Sequence, residues 1–101
     1  MFNQIFLVGR IDVLQADYGE DRMNGTIRLA VERPFPESNS EYLTDYFDVR
    51  VWRGMVETLK DSYRPGDLVG INGRIQNDGP AGQQLIIAEK ITLIREATPS
   101  A

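Results

Sequence analysis

Cysteine and histidine are both absent from this chain of 101 residues. Their absence excludes disulfide bonds, thiolate chemistry, Ser-His and Cys-His nucleophile pairs, and zinc sites built from these two ligands. Catalysis would have to rest on carboxylates, lysine or tyrosine, and the fifteen acidic residues are scattered along the chain. We therefore expect no enzymatic activity, no cofactor and no metal site. The lack of cysteine also fits a cytoplasmic location.

Long apolar runs and lysine are scarce as well. No stretch approaches the roughly 20 apolar residues of a membrane-spanning helix. The basic residues are nine arginines against two lysines, and the formal net charge is −4. A negative net charge opposes nucleic-acid binding unless the charges segregate onto different faces. Arginine stacks on flat rings and forks onto phosphate, so this basic set suits a stacking surface.

What the chain does have is an alternating segment, DYFDVRVWR, at residues 45–53. Residues two apart in a strand share one face, so its phenylalanine and two valines would form a core face. The opposite face would carry two large aromatic residues, Tyr46 and Trp52, together with Asp48 and Arg50. Rings on a solvated sheet face suit unpaired nucleobases, each of which has a π-face. Cross-strand packing beneath a second layer is the alternative explanation.

The pattern along the chain predicts five strands and one short helix. The predicted strands are residues 2–11, 26–33, 44–53, 68–75 and 85–94, with a helix after Gly54 that stops at Pro65 and with turns at residues 24–25 and 79–82. Three strands, a helix and two strands is the order of the all-β OB-fold, a five-stranded Greek-key barrel that binds oligonucleotides around its second and third strands. We assign residues 1–96 to this domain and residues 97–101 to a short flexible end.

The first predicted strand is apolar on both faces. Ile5 and Leu7 lie on one face, and Phe6 and Val8 lie on the other. A small barrel covers only one face of a strand, so the second face predicts a subunit contact. Gly9 predicts a sharp bend or a close approach of another backbone.

Five segments, in order and at matching spacing, resemble the bacterial single-stranded DNA-binding proteins (SSB). They are FNQIFLVGRI at 2–11, LAVERPF at 29–35, DYFDVRVWR at 45–53, LKDSY at 59–63 and RPGDLVGINGRI at 64–75. The resemblance covers about residues 2–95. It implies an OB barrel, favours a homotetramer over a dimer, and implies sequence-independent binding of single-stranded DNA in replication, recombination and repair. That role belongs to the cytoplasm, with the nucleoid.

The resemblance also implies roles for individual residues. By position, Phe35, Tyr46 and Trp52 correspond to the stacking sites of that family. The arginines expected along the DNA path are Arg33, Arg50, Arg53 and Arg74, with Arg10 as a further candidate. The family's first strand takes part in a subunit contact, which agrees with the two apolar faces described above.

The chain departs from the family pattern at three places. Residues 76–83 hold neither the cations nor the ring of the family's longer loop, so one stacking site and several phosphate contacts are expected to be missing. Glu32 and Asp48 lie near the expected path and would repel phosphate. Residues 96–101 do not resemble the family's acidic recruiting tail, so we expect no recruitment of replication or repair enzymes through a tail.

Two alternatives to a sequence-tolerant binding protein stay open. One is a primosome-type accessory protein, a dimeric OB-fold that binds both single-stranded DNA and replication proteins. The other is an OB module that binds a protein partner through Tyr46 and Trp52 and whose negative charge repels DNA.

Overall fold

A computed structural model describes residues 1–16 and 25–98. The elements are β1 (Ile5–Ala16), β2 (Gly25–Glu32), β3 (Thr44–Val51), α1 (Arg53–Ser62), β4 (Leu68–Asp78) and β5 (Gln83–Arg95). The strands close into a barrel in the order β1-β2-β3-β5-β4, with antiparallel pairing everywhere except between β3 and β5. The predicted five-stranded barrel, with one helix between its third and fourth strands, is confirmed.

The predicted boundaries of β1 were wrong at both ends. The strand begins at Ile5 and continues to Ala16. A bulge permits the extension, because Ile11 faces Leu29 while Val13 faces Arg28, which leaves one extra residue on β1. Such an extra residue increases the local bend and twist, so the strand can follow the barrel wall and keep pairing.

The boundaries of the later strands also differ from the predicted ones. β3 ends at Val51, so Trp52 and Arg53 lie beyond it. β4 and β5 extend to Asp78 and from Gln83, which leaves a four-residue turn between them. The glycines at both ends of that turn have positive φ angles, which explains their presence there. The predicted turn at residues 24–25 lies partly outside the described residues.

Alternation along the strands places one face of each strand inside the barrel. Among the residues that the structure describes, the buried cluster that forms the core consists of Ile11, Ile27, Leu29, Val49, Val51, Leu59, Val69, Ile71 and Ala88. Complete burial of one such aliphatic side chain stabilises the fold by about 1.5–3 kcal/mol. α1 contributes Leu59 to this core, and Tyr63 at the end of the helix packs against it. The outer faces of the strands are therefore free to serve other purposes.

Two glycines sit where neighbouring backbones approach each other closely. A Cβ atom on Gly9 would collide with the carbonyl oxygen of Ala30, which confirms the predicted close approach. A Cβ atom on Gly73 would collide with the carbonyl oxygen of Ile87. Gly73 adjoins a bulge at Glu89 in β5.

Asp67 is a buried acidic residue that joins three segments. Its carboxylate accepts backbone N–H groups from Ala97 at 2.7 Å and from Arg64 at 2.9 Å. These two hydrogen bonds hold the pKa of Asp67 below its usual value. Its own carbonyl accepts the N–H of Ile11 at 2.9 Å. The carboxylate therefore links the segment after β5 to the turn before β4.

The second apolar face of β1 lies outside the barrel, as predicted. Phe6 is 63% exposed, and Val8 and Ile94 are exposed as well. The ring of Phe6 lies over Gly70, since a Cβ atom there would be 3.2 Å from the ring and 3.6 Å from Ile94. We call these four residues the β1 face. Within the described residues, no helix has the length and apolar character to cross a membrane.

Candidate nucleic-acid interface

The hairpin of β2 and β3 presents a row of outward side chains that mixes rings with charges. Its antiparallel register pairs Ala30 with Tyr46 and Arg28 with Asp48. Tyr46 is 56% exposed, and Asp48 is exposed two residues further along β3. The small side chain of Ala30 leaves the neighbouring ring uncovered on that side. The structure therefore places the predicted Tyr46 on the outside of the barrel.

Arg28 belongs to this surface although the sequence did not single it out. Its guanidinium carbon lies 5.6 Å from the centre of the Tyr46 ring, within cation–π range. Its Nε atom lies 3.6 Å from a carboxylate oxygen of Asp48. Arg28 alternates with the buried Ile27 and Leu29, which predicts an outward position, but its partners depend on the hairpin register.

Trp52 follows directly after β3 and precedes α1. Its side chain is 44% exposed, so the indole is accessible as predicted, although it does not belong to the strand. Trp52 lines a cavity of about 140 Å³ whose other walls come from three strands. These walls are Arg50, Val51, Gln76, Leu85 and Ile87. The cavity combines a ring and aliphatic walls with a guanidinium and an amide.

Arg50 and Arg74 lie in one row across three strands. Ile87 of β5 is the register partner of both, so the two arginines flank it on β3 and β4. Two strand spacings separate them, which is about 10 Å. Arg74 lies 3.5 Å from Glu89 and donates to Gln76 at 3.3 Å. Of these two predicted arginines, Arg50 lines the same cavity as Trp52, and Arg74 lies on the far side of Ile87 from Arg50.

Phe35 lies in the loop that joins β2 to β3. It is flanked by Pro34 and Pro36 and is 77% exposed. The loop leaves the hairpin at the end opposite Trp52, because Trp52 follows the last residue of β3. Eight residues of β3 span about 26 Å. The three predicted rings are therefore spread along one hairpin, and we call this surface, with Arg28, Asp48 and Arg50, the aromatic face.

Arg33 forms ion pairs with two carboxylates at once, those of Asp45 and Glu37. Its Nε and Nη2 atoms donate to the two carboxylate oxygens of Asp45 at 2.9 and 3.0 Å, and its Nη1 atom donates to Glu37 at 2.8 Å. The hydrogen bonds with Asp45 are the main cause of a raised pKa of Arg33, and Glu37 adds to it. In turn, the Arg33 hydrogen bond lowers the pKa of Asp45. Its predicted phosphate contact stays a prediction.

Two further arginines complete the predicted set. Arg53 begins α1, but its side chain lies outside the part of the chain that the structure describes. Arg10 points outward from β1 and donates to the carbonyl oxygen of Gly66 at 3.0 Å. It therefore helps to hold the turn before β4.

A second cavity, of about 550 Å³, lies away from the aromatic face. Its walls come from the end of α1, the turn before β4 and the segment after β5, and they hold three carboxylates against one guanidinium, that of Arg64, and no aromatic ring. Such a lining repels anions and offers no stacking platform. In the described ranges, no group of three acidic residues is placed to hold a metal ion. The aromatic face is thus the better candidate for a ligand site.

The pattern of the Single-strand binding protein family matches residues 2–94. Single-stranded DNA-binding protein 1 of Lactococcus lactis is 33% identical over 96 residues, which cover 90% of this chain and 64% of that protein. The single-stranded DNA-binding protein of Streptococcus pneumoniae is 34% identical over 97 residues, which cover 90% of this chain and 62% of that protein. The chain therefore spans less than two thirds of the length of these curated relatives.

Solved structures show the same barrel at lower identity. A mitochondrial single-stranded DNA-binding protein of S. cerevisiae has a TM-score of 0.73 at 17% identity and covers 97% of this chain and 99% of its own. A small single-stranded DNA-binding protein of Mycoplasma pneumoniae has a TM-score of 0.67 at 18% identity, with 97% and 100% covered. Identities this low establish the OB-fold alone. With the match over residues 2–94, however, the assignment is clear: the chain belongs to the Single-strand binding protein family.

Proposed function

We propose that this protein binds single-stranded DNA without sequence preference on its aromatic face. One observation carries the proposal: Phe35, Tyr46 and Trp52 are exposed along a single hairpin about 26 Å long. An extended polymer of flat rings fits such a row, and each stacked base contributes about 1–3 kcal/mol. The names of the two bacterial relatives support the same ligand.

Arginines beside the rings supply the phosphate contacts in this proposal. Arg50 lines the same cavity as Trp52, and Arg74 lies about 10 Å from Arg50, on the other side of Ile87. Arg53, which follows Trp52 directly in the chain, is a further proposed phosphate contact. The ring contacts carry no base identity, because every base offers a π-face, and the phosphate contacts are equally independent of sequence.

The β1 face gives the proposal its oligomeric state. Phe6, Val8 and Ile94 form an exposed apolar surface on the outside of the barrel. A second copy of the chain, with the same face, would bury it in a self-complementary contact. We propose a homotetramer that uses this contact, with a dimer as the alternative.

The biological role follows from the ligand. Exposed single strands occur during DNA replication, recombination and repair, so we assign the protein to these processes, in the cytoplasm with the nucleoid. Its action consists of binding alone, without covalent chemistry.

Fluorescence of Trp52, the single tryptophan, tests the proposal directly. Titration with oligo(dT) of roughly 30 nucleotides, longer than the site of one OB-fold, should quench the emission at low salt. The binding constant should fall as salt rises, by about 0.7 logarithmic units per tenfold change for each phosphate contact. An emission that stays constant at low salt, with no shift in a gel titration, would reject the proposal.

The carboxylates on the aromatic face favour one competing function. Asp48 is exposed beside Tyr46, and the chain has a net charge of −4, both of which suit a basic protein partner. In that case the protein would show negligible affinity for oligonucleotides at every ionic strength. A primosome-type accessory protein would bind them but would form a dimer in light-scattering measurements.

A further inference from the structure

The loop of residues 33–43 is held closed by an arginine that reaches across its base. Arg33 directly follows β2, and Asp45 is the second residue of β3. The guanidinium of Arg33 engages both carboxylate oxygens of Asp45, at 2.9 and 3.0 Å, in a fork that lysine cannot reproduce. Its third engaged nitrogen donates to Glu37 within the loop, at 2.8 Å. One side chain therefore joins both strands of the hairpin to the loop itself.

Backbone hydrogen bonds define the rest of the loop. The N–H of Arg33 donates to the carbonyl oxygen of Leu43 at 2.8 Å, which extends the hairpin by one pair. At the tip, the N–H of Glu37 donates to Glu41, and the N–H of Ser40 donates back to Glu37, both at 2.8 Å. Glu37 is therefore fixed by two backbone hydrogen bonds as well as by the ion pair. The guanidinium connects this tip to the base.

Phe35 lies on the segment between these two fixed points. The prolines on either side restrict its backbone, and its ring is exposed. The direction of the ring thus depends on the path of only a few residues between Arg33 and Glu37. A loop that is already ordered avoids the entropic penalty of ordering when a base stacks on the ring.

The electrostatics of this group argue against a phosphate contact. One guanidinium faces two carboxylates, so the group as a whole carries a net negative charge and repels a polyanion. The ion pairs are about half exposed, and exposed ion pairs contribute little to global stability. The main consequence of these ion pairs is therefore geometric, because they hold a short loop in one conformation.

We propose that Arg33 is a positioning residue, which fixes the loop of residues 33–43 so that Phe35 is presented to the first base at that end of the aromatic face. Arg33 acts on single-stranded DNA only through the ring of Phe35. The inference rests on the proposed function and changes one of its predicted contacts, since it removes Arg33 from the set of phosphate ligands.

The experiment compares Arg33→Gln, Arg33→Lys and Phe35→Ala in oligo(dT) titrations monitored by Trp52 fluorescence across a range of salt concentrations. We expect both Arg33 variants to bind more weakly by a similar factor, no larger than that of Phe35→Ala, with an unchanged salt slope. The double variant of Arg33→Gln with Phe35→Ala should bind no more weakly than Phe35→Ala alone. Arg50→Gln is the matched control, and its salt slope should fall by about 0.7.

Two further measurements distinguish a positioning role of Arg33 from a direct contact between its charge and DNA. Hydrogen exchange should accelerate at the amides of Glu37 and Ser40 in Arg33→Gln, while the core amides of β2 and β3 keep their protection. Asp45→Asn should weaken DNA binding, because it breaks the fork, although removal of a negative charge near DNA would otherwise strengthen it.

Several outcomes would overturn the inference. A smaller salt slope in Arg33→Gln that Arg33→Lys restores would identify a phosphate contact. Three other results would each show that Arg33 does not position the loop. They are additive effects of the Arg33 and Phe35 substitutions, an unchanged affinity of Arg33→Gln, and tighter binding by Asp45→Asn. If the unaltered protein itself fails to bind oligo(dT), the proposed function fails instead.

Discussion

The aromatic face and the β1 face both expose rings to solvent, yet their surroundings differ. On the aromatic face, Tyr46 is next to the guanidinium of Arg28, and the charged residues Asp48 and Arg50 follow it at two-residue intervals along β3. On the β1 face, the ring of Phe6 lies over Gly70 beside the aliphatic side chain of Ile94. An exposed ring alone therefore does not identify a ligand. Its neighbours do, since charges suit a polyelectrolyte and aliphatic groups suit a protein surface.

Both faces are supported by the same core, which makes the comparison testable. The residues between the outward positions, such as Leu29 and Val49, are completely buried. Outward side chains can therefore be replaced while the barrel keeps its packing, because surface substitutions away from such features usually change stability by less than about 0.5 kcal/mol. Each face can be altered with the other as its control.

The largest effect is expected from Phe6→Glu. This change places a carboxylate in the centre of the β1 face, where a subunit contact would bury it without a partner. The loss of the buried ring and the added charge should lower the association constant by roughly 100-fold or more. Light scattering at micromolar concentration should then show a lower mass than that of the unaltered protein. Val13→Glu, on the same strand but outside the β1 face, should leave the mass unchanged; dissociation by both variants would contradict the assignment.

Trp52→Ala should have the next largest effect, and on DNA binding alone. Loss of one stacking platform should weaken oligo(dT) binding by about 5- to 150-fold, which corresponds to about 1–3 kcal/mol. Anisotropy of a labelled oligonucleotide replaces the lost intrinsic fluorescence. Trp52→Phe keeps a ring and should lose much less. An altered oligomeric state in Trp52→Ala would mean that the two faces are not independent.

Much of this arrangement could be predicted from the sequence, because alternation sets the side of the barrel on which a residue lies. The outward positions of Tyr46 and Phe6 follow from the period of two in β3 and β1. The close approach at Gly9 follows from a missing side chain within an apolar strand. These features are local, and local patterns suffice for them.

Features that depend on register or on distant chain segments could not be predicted in this way. Arg28 meets Tyr46 and Asp48 only because the hairpin pairs in one particular register. The pairing of Arg33 with Asp45 likewise crosses a loop of eleven residues, 33–43. The extension of β1 needs a bulge, which no residue pattern marked. Alternation indicates the face but not the neighbour on it.

Asp67→Asn should lower the free energy of unfolding of the whole barrel, which supports both faces. An amide oxygen cannot accept both N–H groups as the carboxylate does, so we expect a loss of about 1–2 kcal/mol at pH 7. Since folding lowers the pKa of Asp67, its stabilisation is complete above the usual value of 3.8 and is lost as the pH falls through the lowered value.

Urea unfolding at several pH values checks this prediction. The difference between the original protein and Asp67→Asn should be largest near neutral pH and should shrink below pH 3.8. Under conditions where the variant is folded, oligo(dT) binding and oligomeric state should both be unchanged. A difference that grew in acid would show that the two backbone hydrogen bonds do not favour the ionised carboxylate.

The smallest effect, a gain in affinity, is expected from Asp48→Asn. The change removes a negative charge from the aromatic face and frees Arg28 from its ion pair while the Tyr46 ring stays in place. Binding of oligo(dT) should become a few-fold tighter at low salt, and the gain should diminish at high salt because exposed charges are screened. Glu89→Gln is the matched control, because it removes the carboxylate next to Arg74. This change should also make oligo(dT) binding tighter. If Asp48→Asn weakened binding instead, Asp48 would be needed to hold Arg28 in place. The aromatic face would then depend on an ion pair, as the loop of residues 33–43 depends on Arg33.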